Sequence, residues 1–250
     1  MQLDFNEKVA VITGGARGIG AATAEAFYQA GAKVALLDIN GKECRERANT
    51  IDPGADRVVA HEADITEMDQ VQKVVDKILA AFGRIDILFN NAGILHHVPI
   101  EDKTVADFER VLKVNLTGAF IMCKAIVPIM KKQGYGKIVN MSTLGARTGR
   151  PGVAADYAGS KAGLMGMTRS LAKELGPSGI YVNAIAPGPI LTELTKQVPK
   201  ELFAQWNVGR LINKDGLPED VAHAVLFLSS QMSDWITGIT LDVNGGLFIP

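Results

Sequence analysis

The chain has 250 residues, 47% of them hydrophobic, and a formal net charge of −1, enough apolar material for one substantial core and no electrostatic pull toward nucleic acid or an acidic membrane surface. Two cysteines, Cys44 and Cys123, stand far apart in no metal-ligand spacing and read as reduced thiols. Asp4 and Glu7 occupy the place where a signal peptide needs positive charge, and the apolar runs fall short of the roughly 20 residues of a membrane span, so a soluble cytoplasmic protein is expected.

Short apolar runs alternate with longer helical patterns. Residues 9–12 read as a buried strand, 19–30 as a helix stopped by Gly31, 34–37 as a second strand and 57–60 as a weaker third. From Met68 the apolar positions Val71, Val74, Val75, Ile78, Leu79 and Phe82 recur at helical spacing until Gly83. Residues 85–89 form the next strand, followed by a long helix over 105–130, a strand at 137–141, a helix over 157–175, a strand at 180–185, a helix at Pro218–Ser229 and a last strand at 239–243. The strands are apolar on both faces, as parallel strands covered by helices must be. The expectation is one α/β domain over 1–250, a doubly wound Rossmann-type parallel sheet of about seven strands. The irregular segment 188–217, carrying Leu202, Phe203 and Trp206, reads as a lid over the substrate or as a small helix packed on the body.

The first strand runs into TGGARGIG, residues 13–20. Glycine lets a backbone approach a ligand, and the helix N-terminus beyond it suits a pyrophosphate. Gly14, Gly18 and Gly20 give G-x-x-x-G-x-G rather than G-x-G-x-x-G, and a plain tight turn would also need glycine. Asp38 ends the second strand. A carboxylate there accepts both ribose hydroxyls of NAD and repels the 2′-phosphate of NADP, although an acid at a strand end also caps the following segment. Arg17 argues the other way, since guanidinium pairs with phosphate, but it also suits the pyrophosphate or solvent.

Tyr157 and Lys161, in YAGSK, lie at i and i+4 of one helix and share a face. Tyrosine is a poor base near neutrality, and a neighbouring ammonium favours its phenolate. The spacing alone is common on ordinary helix surfaces. It gains meaning from Ser142 past the strand 137–141, Asn90-Asn91-Ala92-Gly93 past 85–89, and Asp64 past the third strand. Five strand ends thus carry polar residues or glycine on one side of the expected sheet.

With these residues in order, the chain resembles the short-chain dehydrogenase/reductase family over essentially its whole length. The motifs are T-G-x-x-x-G-x-G at 13–20, N-N-A-G at 90–93, Asn115 in KVNLTG, Ser142 in VNMSTLG, Y-x-x-x-K at Tyr157 and Lys161, and Pro187-Gly188 followed by Ile190 and Thr192. The resemblance implies Tyr157 as general acid/base, Lys161 on the nicotinamide ribose and lowering the Tyr157 pKa, Ser142 orienting the substrate oxygen, and Asn115 holding a water that links Lys161 to solvent. It also implies a dinucleotide site made of Gly14, Arg17, Gly18, Ile19 and Gly20, with Asp38 on the adenosine ribose, Asp64 and Ile65 at the adenine, Asn91 and Gly93 on the ribose side, Tyr157 and Lys161, and Pro187, Gly188, Ile190 and Thr192 at the nicotinamide. Homo-oligomers are usual in the family, tetramers or dimers, with the helices 105–130 and 157–175 and the last strand as shared surfaces.

Ser142 and Tyr157 stand fifteen positions apart, slightly more than is commonest in the family. Gly145 anchors Ser142 in its role, with Thr143 as a lesser rival, and the extra residues fall in RTGRPGVAAD beside the substrate. The C-terminal Asn244-Gly245-Gly246 stands where many relatives have D-G-G.

The leading expectation is an NAD-dependent oxidoreductase of secondary alcohols, diols, polyols or sugars and their ketones. A 3-oxoacyl-[acyl-carrier-protein] reductase is the alternative; such enzymes usually favour NADPH, which Asp38 opposes, and the turn LGPSGI lacks an arginine often found there. A catalytically dead nucleotide sensor would have lost Tyr157 or Lys161. His96 and His97 follow NNAGIL near the substrate, but adjacent loop side chains point apart, so at most one faces in; Arg147 and Arg150 could attract a polar or anionic substrate, with solvated surface the simpler reading. No metal is expected, since no carboxylate or histidine cluster has ligand spacing.

Overall fold

The computed structural model describes residues 3–95, 98–150 and 152–250. His96 and His97 lie outside the described residues. The elements run β1 (Val9–Thr13), α1 (Gly18–Gln29), β2 (Lys33–Asp38), α2 (Gly41–Ile51), β3 (Val58–Glu62), α3 (Met68–Phe82), β4 (Ile87–Asn90), α4 (Val105–Leu112), a π-helical turn (Lys113–Thr117), α5 (Gly118–Gln133), β5 (Gly136–Met141), α6 (Gly145–Thr148), α7 (Ala155–Leu175), β6 (Ile180–Pro187), α8 (Lys200–Trp206), α9 (Pro218–Ser229) and β7 (Thr240–Val243). The seven strands form one sheet in the order β3-β2-β1-β4-β5-β6-β7, and every pairing is parallel.

Side-chain alternation along the strands splits the core into two layers. Ala10, Ile12, Val34, Leu36, Ile87 and Phe89 face the layer that holds Phe27 of α1 and Val225 of α9. Val9, Val11, Ala35, Leu37 and Leu88 face the layer that holds Val74 and Ile78 of α3 and Ile126 of α5. Each Val, Leu, Ile or Phe among them contributes about 1.5–3 kcal/mol by leaving water. The strand order reverses between β1 and β4, so their carboxyl ends part over a crevice where loops from both sides converge.

Three elements differ from the sequence reading. The segment after β2 is a helix, α2, although only Cys44, Ala48 and Ile51 among its side chains turn inward and the rest is polar. Asn40 starts it by accepting from the Glu43 N–H at 3.2 Å. The fourth strand begins at Ile87 rather than at 85; just before it the buried Asp86 side chain accepts the Val9 N–H at 3.0 Å and both arms of Arg84 at 2.6 and 2.8 Å. The segment 188–217 is not wholly irregular: it carries an isolated bridge at Ile190, a 3-10 turn at Thr195–Gln197 and α8.

The stretch Val105–Gln133 is one continuous helix, long and apolar enough by length and composition to cross a membrane, contrary to the reading of the apolar runs. In this fold its inner face, with Met122, Cys123, Ile126 and Met130, belongs to the core beneath the sheet. The π-helical turn interrupts it where the Gly118 N–H reaches back to the Lys113 carbonyl, and Asn115 in that turn is buried. Such turns often mark functional sites.

Candidate active site

The glycine loop is shaped first by its own packing. Gly14 and Gly18 have φ of +64° and +56°, in the left-handed region that glycine adopts without strain. A Cβ at Gly20 would lie 2.1 Å from the Gly14 carbonyl oxygen, and one at Gly14 would lie 2.9 Å from the Ala92 Cα. The wide spacing therefore brings the loop onto α1 and onto the chain after β4. Two side chains fasten that contact. Thr13 Oγ1 accepts from the Asn91 and Ala92 N–H groups, both at 3.0 Å, and Asn91 Nδ2 donates to the Thr13 and Gly14 carbonyls at 3.0 and 3.1 Å. The first turn of α1 has no capping side chain and no acidic residue, so its N–H groups face the crevice without a side-chain partner.

A cavity of about 330 Å³ opens there, walled by Gly18, Arg17, Asp38, Ile65, Asn91 and Thr192, among others. Asp38 caps the following segment and faces the cavity. Its carboxylate accepts from the Ala16 N–H at 3.2 Å and the Asn40 N–H at 3.0 Å, and it also lines the cavity. An ionised carboxylate has about four acceptor positions, so two remain. Arg17 is exposed on the same wall. A second cation, Arg47 of α2, donates to the Ala16 carbonyl at 3.4 Å. It was missed because α2 was missed. Asp64 accepts the Thr66 N–H at 2.8 Å, and Ile65 packs where a side chain on Gly118 would otherwise lie.

A second cavity, of about 160 Å³, shares Ile19, Asn91, Gly93, Thr192 and Leu194 with the first and gathers the candidate catalytic side chains. Ser142, Tyr157 and Lys161 all line it, with Pro187, Gly188 and Ile190 on the opposite wall. Lys161 is 2% exposed, and its Nζ donates to the Met141 carbonyl at 2.7 Å. A Cβ on Gly93 would stand 3.3 Å from that nitrogen, so glycine keeps the lysine reachable from the crevice. The Nζ lies 5.8 Å from the centre of the Tyr157 ring. Ser142 Oγ donates to the Lys161 main-chain carbonyl at 2.8 Å, so it must rotate to donate to a substrate oxygen. Thr143, on the same wall, accepts from the Gly145 N–H at 3.3 Å.

Burial pushes the Lys161 ammonium down to about 8 and the Tyr157 phenol up to about 12. The raised phenol reflects burial, since taking the phenolate out of water disfavours the charged form. The phenol thus keeps its proton throughout the neutral range.

Asn115, buried in the π-helical turn, fastens the chain after β4. Its Oδ1 accepts the Ile94 N–H at 2.8 Å, while its Nδ2 donates to the Ile94 carbonyl at 3.0 Å and to Ser160 Oγ at 3.1 Å. Both amide protons are committed, so the side chain clamps the chain after β4 to α7. Thr192, near Gly18, is held by reciprocal bonds with Thr195.

Neither arginine before Tyr157 is simple solvated surface. Arg147 pairs with Asp242 at 2.9 Å and donates to the Thr240 carbonyl at 3.0 Å, which ties α6 to β7 and away from the substrate. Arg150 lines the chemical cavity and donates to the main-chain carbonyl of Trp206. Trp206 closes α8 and is itself buried in the cavity wall, while Leu202 packs over Gly152. The expected lid is thus a short helix packed on the body whose last residue forms part of the pocket. Among the described residues, no group of three or more His, Cys, Asp or Glu side chains is placed to hold a metal ion.

The joined cavities, the uncapped α1 N-terminus and the glycine surfaces at residues 18 and 93 fit an extended dinucleotide whose one end reaches Lys161. The comparisons agree. A family model described as Enoyl-(Acyl carrier protein) reductase matches residues 14–248. The chain is 40% identical over 243 residues to a 3-oxoacyl-[acyl-carrier-protein] reductase of Thermotoga maritima, covering 97% of this chain and 98% of the relative. It is 40% identical over 241 residues to a 3-alpha-(or 20-beta)-hydroxysteroid dehydrogenase of Mycobacterium bovis, covering 96% and 88%. Among solved structures, a short-chain dehydrogenase/reductase titled glucose/ribitol dehydrogenase from Brucella melitensis superposes with a TM-score of 0.94 at 32% identity, covering all of both chains. With its sheet order, its joined cavities and its Ser142, Tyr157 and Lys161, this chain belongs to the short-chain dehydrogenase/reductase family of nicotinamide-dependent oxidoreductases.

Proposed function

We propose that this protein reduces the ketone of a short 3-oxoacyl compound to the secondary alcohol, with Tyr157 as the proton donor. The observation that carries the reading is the placement of Ser142, Tyr157 and the buried Lys161 on one small cavity continuous with the dinucleotide crevice. The 3-oxoacyl class is favoured by the similarity to the Thermotoga maritima reductase. The nicotinamide, when bound, supplies or accepts the hydride at the substrate carbon.

The chain's own residues handle the oxygen and the proton. Ser142, turned from the Lys161 carbonyl, donates to the ketone oxygen and sets its position beside the Tyr157 hydroxyl. Tyr157, held protonated by burial, gives its proton to the oxygen as negative charge develops there. Lys161, charged below about pH 8, stabilises the phenolate that remains and supplies the route for its reprotonation. Asn115 keeps the 91–94 segment and α7 in register, so Gly93 and Lys161 present one surface. Trp206, Leu95 and Val153 keep water away from the reacting centre.

NAD(H) is the proposed cofactor. Asp38 carries a negative charge fixed by two backbone amides at the adenosine-ribose end, where a 2′-phosphate would be repelled. Asp38 also favours a second reading, an NAD-dependent dehydrogenase of simple secondary alcohols, diols or sugars. A panel of short 3-oxoacyl esters and thioesters, carrier-bound 3-oxoacyl thioesters, simple ketones, diols and sugars, run with both cofactors, tests these readings. Faster turnover of diols or sugars than of any 3-oxo compound would overturn the first.

Self-association, in a cytoplasmic setting, is part of the proposal. Val105, Phe108 and Phe120 leave apolar area exposed along the 105–133 helix, and sedimentation of the protein as a monomer at micromolar concentration would count against it.

A further inference from the structure

Arg150 brings a second cation, besides Lys161, into a cavity whose surface is mostly apolar. Its backbone place is set by Gly149, whose φ of +59° ends α6 and returns the chain toward the pocket. The guanidinium then lies on the wall that also carries Ser142, Tyr157 and Trp206. It is partly buried, and burial lowers its pKa, yet no carboxylate is ion-paired with it among the described residues. Its partners are the neutral carbonyl at the end of α8 and the face of the Trp206 ring, 5.9 Å from the guanidinium carbon.

A guanidinium has five N–H donors in a planar fork, and a single carbonyl uses only part of it. Charges taken from water are normally paired, since the loss of hydration is otherwise uncompensated. The neighbouring Arg147 shows the ordinary solution, an ion pair with Asp242. Arg150 has no such partner and faces the place where substrate must sit.

From this geometry we infer that Arg150 is a specificity-determining residue that receives a carboxylate carried by the substrate itself, a short oxo acid. The inference rests on the ketone-reductase reading and narrows its substrate class. Ser142 and Arg150 both line this cavity of about 160 Å³, so one oxo acid can set its ketone at Ser142 and its carboxylate at the guanidinium. A carrier-bound or esterified 3-oxoacyl group has no charge at that end and leaves the guanidinium unpaired.

The test compares kcat/KM for 3-oxobutanoate and for its methyl ester in the unaltered protein, in Arg150→Lys and in Arg150→Gln. The expected result is a preference for the free acid that drops about 10- to 100-fold in Arg150→Gln, as loss of a charge-assisted bond predicts, with partial recovery in Arg150→Lys and little change for the ester. If both substrates lose rate in parallel, Arg150 only holds α8, and the inference is overturned while the ketone reductase stands. An ester preference in the unaltered protein also overturns it. If neither substrate turns over, the reading of the reaction fails, and calorimetric binding of butanoate against butanamide to the NAD complex decides the Arg150 inference alone: selective binding of butanoate that is lost in Arg150→Gln supports it, and equal binding overturns it.

Discussion

Lys161 Nζ donates to the carbonyl of Met141 at 2.7 Å, so the buried ammonium hangs from the last residue of β5. Ser142 is the next residue along that strand, and its hydroxyl returns the contact to the Lys161 main chain at 2.8 Å. One turn of α7 and one strand end are therefore a single rigid unit, and the position of Tyr157 one turn earlier follows from it.

Lys161 should make dinucleotide binding depend on pH. Its pKa of about 8 lies below the ordinary lysine value of 10.5, so the group is charged below about pH 8 and neutral above it. A ribose and pyrophosphate favour the charged form. Affinity should be level from pH 6.5 to 7.5 and then weaken, by up to about tenfold per pH unit. Titration calorimetry across pH 6.5–9.5 measures this, and Lys161→Met should bind weakly with no step near pH 8.

Tyr157→Phe removes the donor and leaves the ring. Loss of a positioned acid lowers rate by about 10²–10⁴-fold, and dinucleotide binding should change by less than threefold. Ketone reduction persisting at the parent rate would remove Tyr157 from the chemistry.

Asn115→Leu deletes three hydrogen bonds from a residue 1% exposed. Two of the orphaned partners are the partly buried backbone groups of Ile94, each costing up to about 1–3 kcal/mol when left unmade. A loss of about 2–4 kcal/mol in urea unfolding is expected, and kcat should fall because Gly93 and Lys161 lose their register. A variant as stable as the parent would show that this clamp is dispensable.

Asp38→Ala removes a carboxylate from the wall of the proposed dinucleotide cavity while Arg17 and Arg47 remain nearby. The ratio of kcat/KM for NADH over NADPH should fall by at least about tenfold, the equivalent of 1.4 kcal/mol. Further replacement of Arg47 by Ala should restore part of the ratio. An unchanged ratio in Asp38→Ala would place the cofactor preference in another residue.

The elements with strong apolar periods were legible from residue order. Pro218–Ser229 is where the pattern put it, and the strand and helix sequence led directly to the parallel sheet. Helix α2 was not legible, because three small inward residues in a charged segment give little periodic signal and its start depends on the Asn40 cap. The 105–133 helix was legible, but not its π-helical turn, which changes the bonding partner of one N–H without changing composition. In the site, the structure places Ser142, Tyr157, Lys161, Asp38 and the glycine loop around the joined cavities, as the strand-end argument requires. The role of Arg150 was open, since its neighbour Arg147 has the same chemistry and turns the other way.

The sequence by itself determined the layer architecture, the family and the set of reactive side chains. Alternation of period two, helical spacing and glycine at tight turns are local properties, and local sterics and hydrophobic burial enforce them wherever they occur. Only the tertiary structure decided the state of those side chains. Burial raises Tyr157 and lowers Lys161 because water is excluded from both at once, Asn115 is spent on Ile94 and Ser160, and Arg150 meets the pocket without an anion. Each of these depends on what surrounds a group in space, and residues from distant parts of the chain supply those surroundings.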